Sequence, residues 1–140
     1  MEKKLLQEKI LIIHGPNLNL IGHKNFLSNE NITLDKINKN LRTNANLYNY
    51  KLKIFQTNSE SKAVNILQRN RNKVFNIIIF PGAWQEGGYV LKDTLHLLGI
   101  PFITISTGEK VNILDGIKNF NEKNIYKSIE KAIHYSSTNQ

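Results

Sequence analysis

The sequence predicts one α/β domain in which a parallel sheet is wound on both faces by helices. Three observations predict it. Short β-branched runs recur along the chain, and between them lie segments with apolar residues at helical spacing. The runs ILIIH and FNIIIF are apolar nearly throughout, the pattern of strands covered on both faces.

The first strand is Ile10–His14 (ILIIH), closed by Gly15-Pro16. Thr33 is placed to cap a helix with Leu34, Ile37, Leu41 and Ala45 along one face. Lys51–Thr57 (KLKIFQT) reads as the second strand. Ser59 caps the next helix, with Ala63, Val64, Ile66 and Leu67 turned inward. Phe75–Phe80 (FNIIIF) is the third strand, broken by Pro81-Gly82. A helix over Tyr89–Leu98 ends at Gly99, and Pro101–Ser106 (PFITIS) is the fourth strand. The stretch TGEKVNILDGIKN is expected to be irregular. The last helix is expected over Glu122–His134, with residues 135–140 as a frayed tail.

Strands alternating with helices imply right-handed βαβ crossovers. The result is a three-layer, doubly wound sheet of flavodoxin-like type, with residues 1–140 as one domain. In such sheets ligands sit beyond the carboxyl ends of the strands. HGPNLN, QTNSE, PGAWQE and STGEK are therefore expected around one crevice.

Composition removes several alternatives. The 140-residue chain has no cysteine, so no disulfide framework or thiolate metal site is expected, and its four histidines are scattered. It carries a net charge of +8, but the lysines form no tract and read as solvated surface rather than a nucleic-acid face. No apolar run approaches a membrane span, and MEKKLLQEKI lacks the apolar centre of a signal peptide. A cytoplasmic protein without membrane or nucleic-acid partners is expected. A receiver domain would need acidic residues where His14 and Phe80 stand, and GPNLNLIG is no phosphate-loop motif.

HGPNLNLIG resembles the NGPNLNLLG signature of the type II 3-dehydroquinate dehydratases. The resemblance continues in register: FQTNSES is similar to FQSNHEG, IIIFPGAWQEGGYVLKDTL to IIINPGAYTHTSVALRDAL, and GIPFITIS to IPVVEVH. It covers roughly Lys9 to Ser106. It implies a flavodoxin-like fold, assembly into trimers or dodecamers, and dehydration of 3-dehydroquinate to 3-dehydroshikimate with no cofactor and no metal. It also implies a loop tyrosine as base, assisted by an arginine, and a histidine as acid.

Carried over residue by residue, the resemblance keeps Asn17, Gly15, Pro16, Gly22, Glu60, Pro81, Gly82, Ala83 and Asp93, the last matching an aspartate that reaches a neighbouring subunit. The reacting groups differ. Asn29 stands at the tyrosine position, Lys24 at the arginine, Phe80 at a substrate asparagine, Glu86 at a histidine and Ser106 at the catalytic histidine. Trp84 replaces a tyrosine, Gly87-Gly88 replace Thr-Ser, and the segment after strand four is shortened.

An asparagine cannot act as base. Loss of one acid–base group commonly costs ~10²–10⁴-fold in rate. Tyr89 is the tyrosine placed to substitute, since Tyr48 and Tyr50 fall at the other end of the sheet. Candidate catalytic residues are Glu86 as base, its acidity lowered if it lies against Trp84, with His23 or Lys24 as partner. Candidate ligand-binding residues are Asn17, Trp84, Ser106, Thr107, Gly108 and Asp93. Each also has a plain structural reading: Glu86 suits a helix start, His23 an exposed loop, and Trp84 packing. Phe80 either floors a site for a flatter, more apolar ligand or turns into the core. Two functions follow: a lyase-like enzyme redirected from or impaired in dehydration, or a non-catalytic ligand-binding or oligomeric scaffold.

Overall fold

The computed structural model describes residues 8–21, 32–106 and 112–138. One parallel sheet carries the chain, in the order β2 (Lys51–Gln56), β1 (Lys9–His14), β3 (Asn76–Phe80), β4 (Phe102–Ile105), β5 (Lys118–Phe120). Along β1 the register runs to the carboxyl edge, where His14 is level with Gln56 on one side and Phe80 on the other.

Side chains alternate across this sheet and build two cores. Ile10, Ile12, Ile78, Phe80, Ile103 and Ile105 face α1 (Leu34–Asn46) and α5 (Ile125–Thr138). Leu11, Ile13, Ile77, Ile79 and Phe102 face α2 (Glu60–Asn70) and α4 (Tyr89–Leu98). Both faces are covered, which is why β1 and β3 are apolar almost without break.

The expected caps form. Thr33 accepts from the Lys36 amide at 3.2 Å, and Ser59 from the Lys62 amide at 3.2 Å. Gly99 ends α4 at φ 67°, the left-handed conformation a glycine adopts without strain.

Three expectations are corrected. The segment expected to be irregular runs into β5, whose residues pair Lys118 with Ile103 and Phe120 with Ile105. Its sequence, KNF, is short, polar and half exposed because it forms a sheet edge, where a charged residue guards against further pairing. The last helix starts at Ile125, after Asn124 accepts the Tyr126 amide at 2.9 Å. It continues to Thr138, so residues 135–138 are not frayed. Ser136 donates to Ala132 O and accepts from Asn76 Nδ2 at 2.6 Å, pinning the helix end to β3. A further short helix, α3 (Trp84–Gly87), precedes α4.

Thr33→Ala and Ser59→Ala should each lower unfolding stability by about 1 kcal/mol. Urea denaturation with an unchanged slope tests this. A change within experimental error in both variants would show that the caps contribute nothing to the fold.

Candidate functional site

The carboxyl edge of the sheet is organised by two interlocked turns. The Gly15 amide donates to Phe80 O at 2.8 Å, tying the end of β1 to the end of β3. A methyl group on Gly15 would lie 2.7 Å from Pro81 O and 2.8 Å from the Trp84 ring. Gly82, at φ 55°, approaches Pro16 O so closely that a Cβ would sit 2.8 Å away. Each turn thus has its glycine where the other turn's backbone passes. The chain leaves β1 toward β2 on one side and reaches β3 on the other, so this gap is the topological switch point where doubly wound sheets bind ligands.

The loop after β2 braces the same turn. Gln56 Nε2 donates to Gly15 O at 3.1 Å and to Asn58 Oδ1 at 3.2 Å. Asn58 Oδ1 also accepts the Asn17 amide at 3.0 Å. Asn17 adopts φ 66°, a left-handed conformation that asparagine tolerates better than most residues, and it is exposed.

Beneath the turn, on the α1 side, lies His14. It is wholly buried, and its ring stacks on Phe80 with centroids 4.5 Å apart and planes tilted by 36°. Its Nε2 bonds Asn38 Oδ1 of α1 at 2.7 Å, while Nδ1 has no partner among the described residues. Burial lowers the pKa to about 4, only partly opposed by the Asn38 hydrogen bond.

At the end of β4 a neutral polar cluster forms. Asn119 Oδ1, on β5, accepts from Thr104 Oγ1 at 2.6 Å, Ser106 Oγ at 3.1 Å and Asn112 Nδ2 at 3.1 Å. Asn112 Nδ2 also donates to Thr104 Oγ1 at 2.9 Å. The Ile113 amide donates to Gln85 O at 2.8 Å, which ties this cluster to α3.

Of the residues singled out from the sequence, Asn17 lies at the interlocked turns, and Ser106 is buried and held by Asn119. Trp84 is buried in the α2/α4 core against Gly15 and Gly88 rather than open to a ligand. Glu86 is exposed, so the indole does not wall it off from water. Asp93 is exposed on α4. Phe80 turns into the α1/α5 core. His23, Lys24, Thr107 and Gly108 lie outside the described residues. Glu60 joins two helices: its Oε2 accepts the Leu91 amide at 2.9 Å, at the start of α4. Among the described residues no cluster of three or more potential metal ligands forms, and no helix is long and apolar enough to cross a membrane.

Sequence reasoning missed Asn38 and Asn119, and it placed Gln56 and Asn58 at the crevice, within QTNSE, without giving either a role. Asn38 carried a readable signal, since it sits four residues after Leu34 and three before Leu41, on the inward stripe of α1. Gln56 and Asn58 find their partners in the turn after β1, and Asn119 finds its own at the end of β4 and in Asn112.

The family model for dehydroquinase class II matches residues 8–131. The chain belongs to this family. The 3-dehydroquinate dehydratase of Prochlorococcus marinus is 40% identical over 97 residues, which are 69% of this chain and 65% of that protein. That of Endomicrobium trichonymphae is 36% identical over 98 residues, 70% of this chain and 68% of that one. The chain thus matches about two thirds of the length of these relatives. The crystal structure of the type II dehydroquinase from Propionibacterium acnes superposes with a TM-score of 0.84 at 19% identity, covering 96% of this chain and 99% of that one. The Butyrivibrio crossotus enzyme gives 0.82 at 20% identity, covering 96% and 99%. These two establish that the flavodoxin-like fold is shared.

His14 makes stability depend on pH. The unfolded chain takes up a proton near pH 6.5, whereas the folded ring resists until about 4. The unfolded state therefore binds more protons across that window. Stability is full above pH 6.5, falls by on the order of 3 kcal/mol toward pH 4, and levels off below. His14→Asn should lack this component, so the difference between the two proteins' pH–stability curves should trace it between pH 6.5 and 4. Parallel curves would show that His14 is protonated as readily in the fold as out of it.

Proposed function

We propose that this family member keeps a small-molecule crevice at the carboxyl ends of β1, β3 and β4, but is impaired in, or redirected from, the dehydration of 3-dehydroquinate. The dehydratase names of its relatives make that substrate the first to test. The observation that carries the reading is the chemistry of two strand ends. Phe80 and Ser106 stand where the family resemblance calls for a substrate asparagine and a catalytic histidine. Both are buried and engaged, Phe80 on the His14 ring and Ser106 with Asn119. A phenyl ring offers no hydrogen bond, and a serine hydroxyl cannot carry a proton as an imidazole does near neutral pH. Asn29 at the tyrosine position removes the base as well.

In a redirected reaction Glu86, exposed on α3, serves as base with His23 or Lys24 as its partner. Asn17 and Ser106 bind the ligand, with Trp84 packed behind the turn, and Thr107 and Gly108 are the further binding residues this reading takes from the sequence. A homo-oligomer fits the surface of α4, where Tyr89, Val90 and Leu97 are 64%, 60% and 79% exposed beside Asp93. Apolar exposure of this kind on one helix suits burial against another copy.

The deciding assay follows the ultraviolet absorbance of the conjugated product at high protein and 3-dehydroquinate concentrations. No turnover above background is expected from folded protein. Turnover abolished by Glu86→Gln or Tyr89→Phe would mean that a replacement base sustains the family reaction. Light scattering should give a multiple of the 16.1 kDa chain mass, and Leu97→Lys should shift it toward the monomer. A monomeric parent protein would sink the assembly.

A further inference from the structure

We propose that His14 Nδ1 is a ligand-binding acceptor at the floor of the crevice, held by Asn38 and Phe80, and that it takes a neutral donor, a hydroxyl or N–H, from the bound small molecule. The assignment rests on the crevice reading above and names the chemistry of one subsite within it. Two independent observations meet at this atom. The first is position: His14 and Phe80 are the last residues of β1 and β3, the two strands that flank the switch point of the sheet. The second is an unmet bond: Nδ1 is buried and has no partner among the described residues. Buried polar atoms are almost always paired, so an unpaired one calls for a specific explanation, and a bound donor is one.

The neighbours determine which donor. Asn38 Oδ1 accepts from Nε2 at 2.7 Å, so the proton of the neutral imidazole sits on Nε2 and Nδ1 keeps its lone pair. Phe80, stacked on the ring at 4.5 Å, holds its plane without competing for that lone pair. Burial keeps the ring uncharged near neutral pH, its pKa being lowered to about 4. Among the described residues no charged group acts on this ring, so the acceptor suits a neutral donor rather than a carboxylate or phosphate. A hydroxyl or N–H finds an acceptor of fixed direction. Asn38 acts through the ring, as a positioning residue.

Nitrogen NMR on the uniformly ¹⁵N-labelled full chain tests this, with 3-dehydroquinate as the probe. In the free protein the Nε2–H tautomer of His14 is expected. At saturation the Nδ1 signal should move in the direction of an accepted hydrogen bond. His14→Phe, which keeps a ring and loses the acceptor, should weaken binding about tenfold, as expected for one hydrogen bond of ordinary strength. Asn38→Leu leaves His14 in place and should weaken binding while mixing the two tautomers, which a merely structural role would not do. An Nδ1–H tautomer in the free protein overturns the assignment. So does saturable binding that leaves the Nδ1 signal unmoved, the result expected if the atom is served by a trapped water. Absence of 3-dehydroquinate binding by the folded parent protein overturns the assignment of this subsite, and leaves the redirected crevice as the reading to test.

Discussion

The close approach of the first turn to the third is the constraint on which the rest of the structure depends. Gly15 passes so near Pro81 O and the Trp84 ring that no side chain fits, and Gly82 passes Pro16 O in the same way. At Gly15 the demand is for space alone; at Gly82 it is for space and a positive φ. Interlocking fixes the spacing of the β1 and β3 ends at the edge where the sheet presents ligand-binding loops. Gln56 and Asn58 then tie the loop after β2 to the same turn. Everything placed at this edge inherits its position from that contact, including Asn17 above it and His14 below.

The fold was legible because its signals are local. The apolar runs of β1 and β3, the hydroxyl caps at Thr33 and Ser59, and Gly99 each act within a few residues. The flavodoxin-like order followed from their alternation. What was not legible depends on partners far along the chain. β5 is a strand because Lys118–Phe120 meets β4, and nothing in KNF announces that. The end of α5 is ordered because Ser136 meets Asn76, sixty positions earlier. The side on which Phe80 lies could be argued either way from the sequence. Alternation along β3 decides it, since Ile78 and Phe80 share the α1/α5 face.

The site was legible in its scaffold and less so in its chemistry. Asn17 and the glycines of both turns fall where the motif places them. Trp84, read as lining a ligand site, instead fills the space that Gly15 leaves open. That exchange is physical: an indole is too large to stand free beside a glycine turn and gains more by burial in the α2/α4 core. Ser106 is held by Asn119, on the strand the sequence did not reveal, so its engagement was hidden with that strand.

His14 and Phe80 form one unit rather than two. The sequence resemblance would put an asparagine at each position, one before the GPN turn and one before the PGA turn. Neighbouring strands bring them level, and their rings stack at 4.5 Å on the core side of the edge. An asparagine at position 80 alone would leave a cavity beside the imidazole, and one at position 14 alone would leave the phenyl ring without its partner and Asn38 without its bond. Residues in such contact do not contribute additively, so reverting either one disturbs packing as well as polarity. The interlocked turns are indifferent to the exchange, because they depend on glycines and backbone atoms. The edge therefore keeps its shape whichever side chains meet at positions 14 and 80, and the pairing of His14 with Phe80 leaves Nδ1 without a partner among the described residues.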